Sequence, residues 1–342
     1  MVKPLKIRKI SKVEIVNVNE SSDFSIRAIN IFDDEIPKVV YAGVKSSIGY
    51  YSYNPFHDRE EALTHYTELQ DSKLEFRSMS KTKDFYFFLS VSSPAYLYRK
   101  TIDNFFDEMP VLVYQENHEK AFYDSMDFWN DQEGIAIGDP TDGCMSIIIT
   151  RDGGNTWTKL SCEDLPKAKV GEAAFAASDS NISIVGDHAW VATGGKASRV
   201  LYSSDKGKTW KVFETPIVQG KKTTGIYSID FYDEYKGFAI GGDYTKPNDT
   251  LNNKIRTNDG GKTWEVVANR KGPGYRSCVQ YIPNSNGKEL VAIGFKGIDY
   301  SNDAGDSWKH LSNEGFYTIR FLNDSVAYAA GKGRISKLTF RE

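Results

Sequence analysis

Four eight-residue segments share one pattern: Ser/Thr, any, Asp, any, Gly, any, Thr/Ser, Trp. They are Thr150–Trp157 (TRDGGNTW), Ser203–Trp210 (SSDKGKTW), Thr257–Trp264 (TNDGGKTW) and Ser301–Trp308 (SNDAGDSW). The tryptophans recur after 53, 54 and 44 residues. A period near fifty restricts the chain to a propeller, a solenoid or a related array. The pattern itself reads as a hairpin turn. An Asp carboxylate accepts backbone N–H bonds and closes the turn from within. The Gly supplies a positive φ where a Cβ would clash. The Trp opens the next strand and buries a large surface between neighbouring sheets. Asp152, Asp205, Asp259 and Asp303, with Trp157, Trp210, Trp264 and Trp308, are therefore assigned structural duty rather than catalysis or metal binding.

A second feature precedes each turn: an apolar strand ending in small residues. It ends near Gly43, Ser90, Gly138, Gly194, Gly241, Gly294 and Gly331, at intervals of 47, 48, 56, 47, 53 and 37 residues. That makes seven units, and each divides into four short strands. In the fifth they read IYSIDF, GFAIG, NKIRTN and KTWEVVA. Four strands at this period is a propeller blade. The composition agrees, with 20 Tyr, 19 Phe and 28 Gly favouring strands and turns. The seventh unit shows only three strands, so the missing outer strand is expected from Lys9 to Val16, closing the ring without an open edge. The expectation is an all-β, seven-bladed β-propeller of four-stranded antiparallel blades, in one domain over residues 1–342. Two early units depart from the pattern. Phe106 takes the Trp place in blade two, and an inserted helical turn is expected around Glu60 to Leu69.

Net charge is −3, from 43 basic and 46 acidic residues. Strong overall attraction to nucleic acid or to an anionic membrane is not indicated. No apolar run is long enough to span a bilayer. Residues 1–10 show no signal-peptide pattern, which leaves two compartments open: the cytoplasm, or the periplasm or exterior after removal of a leader. The five histidines are scattered, and the three cysteines have no metal-finger spacing, so no metal and no cofactor is expected. No GxSxG, P-loop or GxGxxG lies between a strand and a helix.

Hairpin register makes one further claim. If Thr150 lies opposite Trp157, Cys144 and Cys162 become cross-strand neighbours. In an oxidising compartment they could bridge; otherwise they stay two buried thiols. Cys278 reads as a packed thiol on an inner strand.

The four turns, together with "SIDFYDEYKGFAIGG" (Ser228–Gly242) and "SMDFWNDQEGIAIGD" (Ser125–Asp139), resemble the BNR or Asp-box repeat and, within it, the photosystem II stability/assembly factor-like propellers. The resemblance runs over all seven units and is strongest in units three to six. It implies an exported, non-catalytic scaffold that binds other proteins.

In such a ring the Asp turns lie opposite the loops that rim the central channel, where ligands bind. The rim loops and inner-strand starts supply Arg27, Arg77, Asp124, Asp139, Glu172, Arg199, Asp243, Tyr244, Tyr275, Arg276, Lys296 and Arg334. Arg27, Arg77 and Arg276 occupy similar places in their blades, and three guanidiniums converging there would bind a carboxylate or another anion. Against this stands pairing of the arginines with Asp124, Asp139, Glu172 or Asp243 across a solvated channel. The favoured reading is a monomeric scaffold that takes a protein, peptide or glycan, with Tyr244, Tyr275 and Phe295 as anchors. The alternative is a glycoside hydrolase using Asp139, Glu172 or Asp243 beside the arginines.

Overall fold

The computed structural model describes residues 8–32, 37–54, 59–66, 74–103, 105 and 107–342. Seven four-stranded antiparallel sheets follow one another along the chain. Their first strands are Ala28–Phe32, Phe76–Lys81, Tyr123–Phe128, Ile182–Val185, Ile226–Phe231, Cys278–Tyr281 and Thr318–Phe321. These seven pack each on the next and close a ring. The chain is the all-β, seven-bladed propeller that the repeat implies.

The second strands explain the small-residue runs. Gly134–Gly138 and Gly237–Gly241 are buried throughout, because they lie between two other strands and against two neighbouring blades. Each apolar cluster draws on two adjacent blades: Phe87 and Leu97 of blade two meet Met126, Ala136 and Trp157 of blade three. The core is thus a ring of inter-blade layers. Each fully buried large side chain in it contributes about 1.5–3 kcal/mol.

The repeated turns join the third and fourth strands. In blade three, Thr156 donates its N–H (2.9 Å) and its hydroxyl (2.7 Å) to Asp152. Thr209 does the same to Asp205, Thr263 to Asp259 and Ser307 to Asp303. These bonds hold all four carboxyls below the usual carboxylate range. The Gly has a second reason beyond its φ of +78° at Gly154. A Cβ there would stand 2.2 Å from the Phe87 ring of the preceding blade. The turn is therefore also an inter-blade contact.

Two expectations are adjusted. The closing strand is longer than Lys9 to Val16: Lys12–Ser25 pairs with Lys332–Arg341. Val13 and Ile15 pack on the core between blades six and seven, and a one-residue slip would turn both to solvent. Blade one has no helical turn near Glu60; Arg59–Tyr66 is a strand paired with Ser47–Asn54, with residues 67–69 outside the described ones. Phe106 also lies outside the described residues. In blade three, Ile149 pairs with Thr158, and Cys144 is bridged to Cys162 with a Cα separation of 5.5 Å. Cys278 is a buried free thiol.

Candidate functional site

Each first strand begins on the face opposite the Asp turns. Three of them slip register at the same place, between Phe76 and Ser78, Tyr123 and Ser125, and Ile226 and Ser228. Arg77, Asp124 and Tyr227 are the extra residues. A bulge bends the strand and re-aims the side chain it carries, so three blades each present a polar or aromatic group at the channel mouth.

The connection into blade four does something the repeat does not foretell. Glu172–Ala173 pairs with Gly194–Gly195, and the chain then crosses the channel before Ile182 starts the blade. Ala176 and Ala177 offer carbonyls to Arg77 (3.4 Å) and Arg27 (3.1 Å) of blades two and one. The Ser178 hydroxyl donates to the Ser277 carbonyl of blade six (2.6 Å), and its carbonyl accepts from Thr318 of blade seven (2.9 Å). The Asp179 carboxylate accepts from the Met79 N–H (3.0 Å) and the Ser125 hydroxyl (3.2 Å). A segment that touches blades one, two, three, six and seven lies on the ring axis. Residues 174–181 are a plug.

Above the plug lies a cavity of about 480 Å³. Arg27 and Arg77 reach it from one side. Phe122, Phe175, Tyr227, Tyr244, Tyr275, Phe295 and Tyr317 wall it, with Asp139 and Lys222 at its margin. Phe175 of the plug stacks on Tyr227 with ring centres 3.9 Å apart. Tyr275 meets Tyr227 edge-on at 4.8 Å and Phe295 at 5.5 Å. The Arg27 guanidinium stands 4.0 Å over Tyr317. Its Nε is buried without a hydrogen-bond partner, and burial followed by the neighbouring Arg77 charge lowers its pKa. Arg77 is held by Glu75 (2.8 Å). Tyr244 and Phe295 keep 48% and 42% of their surface exposed, so the cavity opens to solvent between two aromatic edges.

The carboxyls divide sharply. Asp139 accepts the Ala174 N–H (2.7 Å), yet burial pushes its pKa up to about 6. Asp124 is fully buried, and the Ala176 N–H eases its charge without forming a good hydrogen bond. Burial first, then the Asp139 charge, raise its pKa far above the ordinary value. Glu172 is not in the cavity. It is tied to Arg199 at 2.6 and 3.0 Å and to Thr193 at 2.7 Å, all buried. Asp243 caps its own loop through the Thr245 N–H (3.0 Å) and hydroxyl (2.6 Å).

The three arginines do not converge. Arg276 turns into blade six and pairs with buried Asp299 (2.5 Å), a carboxylate on the third strand of its own blade. Arg334 pairs with Glu314 (2.5 Å) over the Phe316 ring, outside the cavity. Lys296 is exposed beside Phe295. Below the plug a smaller chamber of about 230 Å³ holds Asp127, Asp179, Asp230 and Arg320. Burial raises the pKa of Asp179 to about 6 and of Asp230 to about 7. On the Asp-turn face, a groove of about 450 Å³ runs past Arg151, Asp152 and Thr156 with no aromatic wall.

Sequence reasoning missed Phe122, Phe175, Lys222, Tyr317 and the plug. One signal was present: the 56-residue interval before Gly194 is the longest of the six. That surplus is the segment that fills the channel.

No family model and no curated protein matches the chain. Solved structures match its shape. A structure described as YCF48 bound to D1 peptide is 13% identical with a TM-score of 0.66, covering 100% of both chains. YCF48 from Cyanidioschyzon merolae is 12% identical with a TM-score of 0.65, covering 95% of this chain and 98% of that one. The RRP9 WD40 repeats are 10% identical with a TM-score of 0.66, covering 97% and 100%. At these identities the likeness is one of fold alone, and each of the three is a protein this chain is similar to in its ring of blades.

Proposed function

We propose that this propeller is a non-catalytic scaffold that takes a peptide segment of a partner protein into the aromatic cavity above the plug. One observation carries the reading: seven aromatic side chains from four blades and the plug surround two arginines, one with a buried unpartnered N–H. Rigid aromatic walls supply contact area at small entropic cost, and Arg N–H groups orient a carbonyl or carboxylate. The similar ring of YCF48 holding a D1 peptide supports a peptide as the ligand. The hydrolase alternative is disfavoured. Glu172 is locked to Arg199 and Asp243 to its own loop, so neither is poised beside Asp139.

In this reading the chain is a single-domain, monomeric member of the BNR or Asp-box propellers of the photosystem II assembly-factor-like kind. The Cys144–Cys162 bridge supports an oxidising compartment outside the cytoplasm. The test is a phage-displayed library of 12-residue peptides panned on the purified protein. Captured peptides should lose at least about tenfold in affinity on the Arg27→Ala/Arg77→Ala variant. Equal binding by that variant removes the cavity from the account.

A further inference from the structure

Charge is segregated on this molecule although its net value is small. The loops between second and third strands, and between one blade and the next, all lie on the cavity face. In blades four to seven they carry Lys196, Lys221, Lys222, Lys246, Lys296 and Lys332, every one exposed. None of the six makes an ion pair among the described residues. The acidic residues of the same loops are spent: Glu214 holds Lys169, Glu314 holds Arg334, and Asp243 caps its loop. Asp249 is left exposed, as are Glu163 and Asp164 in the loop that leads into blade four. The opposite face carries the aspartates of the four turns.

The six lysines half-encircle the cavity. Lys222 lines it, Lys296 follows Phe295, and Lys246 lies two residues past Tyr244. At the cavity Arg27 and Arg77 share the lining with one carboxyl, Asp139, whose pKa burial raises to about 6.

Resting on the reading of the cavity as a peptide site, we infer that the bound segment is acidic, with an aromatic or apolar residue seated in the cavity and carboxylates flanking it over the lysine rim. Complementary charge across such a rim acts mainly on encounter rate and choice of partner, and salt weakens it.

The test uses three fluorescein-labelled 12-residue peptides with the same central Tyr and net charges of about −4, 0 and +4. Binding is read by anisotropy at low and high salt. The acidic peptide should bind about tenfold or more tighter than the neutral one, with the basic one weakest and the order collapsing at high salt. Lys196→Glu/Lys222→Glu/Lys296→Glu should cancel the preference while Arg27→Ala weakens all three peptides. These lysines are exposed, so the variant is expected to fold, and an unchanged Tm verifies that. Equal binding of the three peptides, still sensitive to Arg27→Ala, overturns the acidic partner and leaves the cavity reading standing. No binding by any of them overturns both. Uptake of the protein by phosphatidylserine vesicles, without discrimination among the peptides, assigns the lysine rim to a lipid surface and overturns the inference.

Discussion

Arg199→Met should unlatch the plug. The Arg199 and Glu172 side chains are 6% and 0% exposed, and the pair is bidentate. Removing the guanidinium leaves a carboxylate in the protein interior with only the Thr193 hydroxyl (2.7 Å) and the Lys169 N–H (2.8 Å). Breaking a buried pair from one side costs about 3–5 kcal/mol. At roughly 2.1 cal/mol/K per residue, the unfolding entropy of 342 residues is about 0.7 kcal/mol/K, so Tm should fall by about 4–7 °C. The double variant Glu172→Met/Arg199→Met removes both charges and should recover at least half of that loss. Full recovery is not expected, because Lys167 O, which accepts from Arg199 at 2.8 Å, loses its donor. Differential scanning fluorimetry at one scan rate reads all three proteins. Because Glu172 lies in the short strand that leads into the plug, the single variant should also weaken peptide capture. A Tm within about 1 °C of wild type, or a double variant no better than the single, would refute the reasoning.

Two further outcomes follow. Burial raises Asp139, Asp179 and Asp230 to about 6, 6 and 7, so the folded chain holds protons that the unfolded one releases near 3.8. Their contribution is complete below about pH 4 and is lost as pH rises through 6–7. The turn aspartates behave oppositely, losing theirs only below pH 4. Tm should therefore rise as pH falls from 8 to 5, and Asp230→Asn should flatten the rise; a wild-type Tm that falls over that interval counts against the buried carboxyls. Separately, Cys162→Ser opens an 18-residue loop and should cost about 3 kcal/mol, with alkylation of the unfolded, unreduced wild type labelling Cys278 alone. Labelling of three thiols would contradict the bridge.

Why the ring was legible and the site only partly so has a physical answer. The turn around Asp205 closes on atoms within four residues of itself, and its Gly207 meets the next layer at a fixed offset, so sequence spacing carries the geometry. The strand-paired closure by Lys12–Ser25 followed from counting strands, although its length did not, since bulges past Asn17 extend it. The cavity is different. Whether an arginine faces the channel depends on what its own blade offers it: Arg77 sits at a one-residue bulge, Arg27 reaches the cavity without one, and Arg276 instead meets Asp299, 23 residues later in the chain. The wall made by Phe175 depends on the plug path, which is fixed by bonds from Ser178 to Ser277 and Thr318, 99 and 140 residues away. Such long-range partners leave no local spacing to read.

The most direct measurement places a photo-crosslinking p-benzoylphenylalanine at Phe295 on the cavity mouth or at Lys262 in the Asp259 turn, and exposes each protein to the captured peptide. A covalent adduct is expected from position 295 and none from position 262. Adducts from 262 alone would put the recognition surface on the turn face and contradict it.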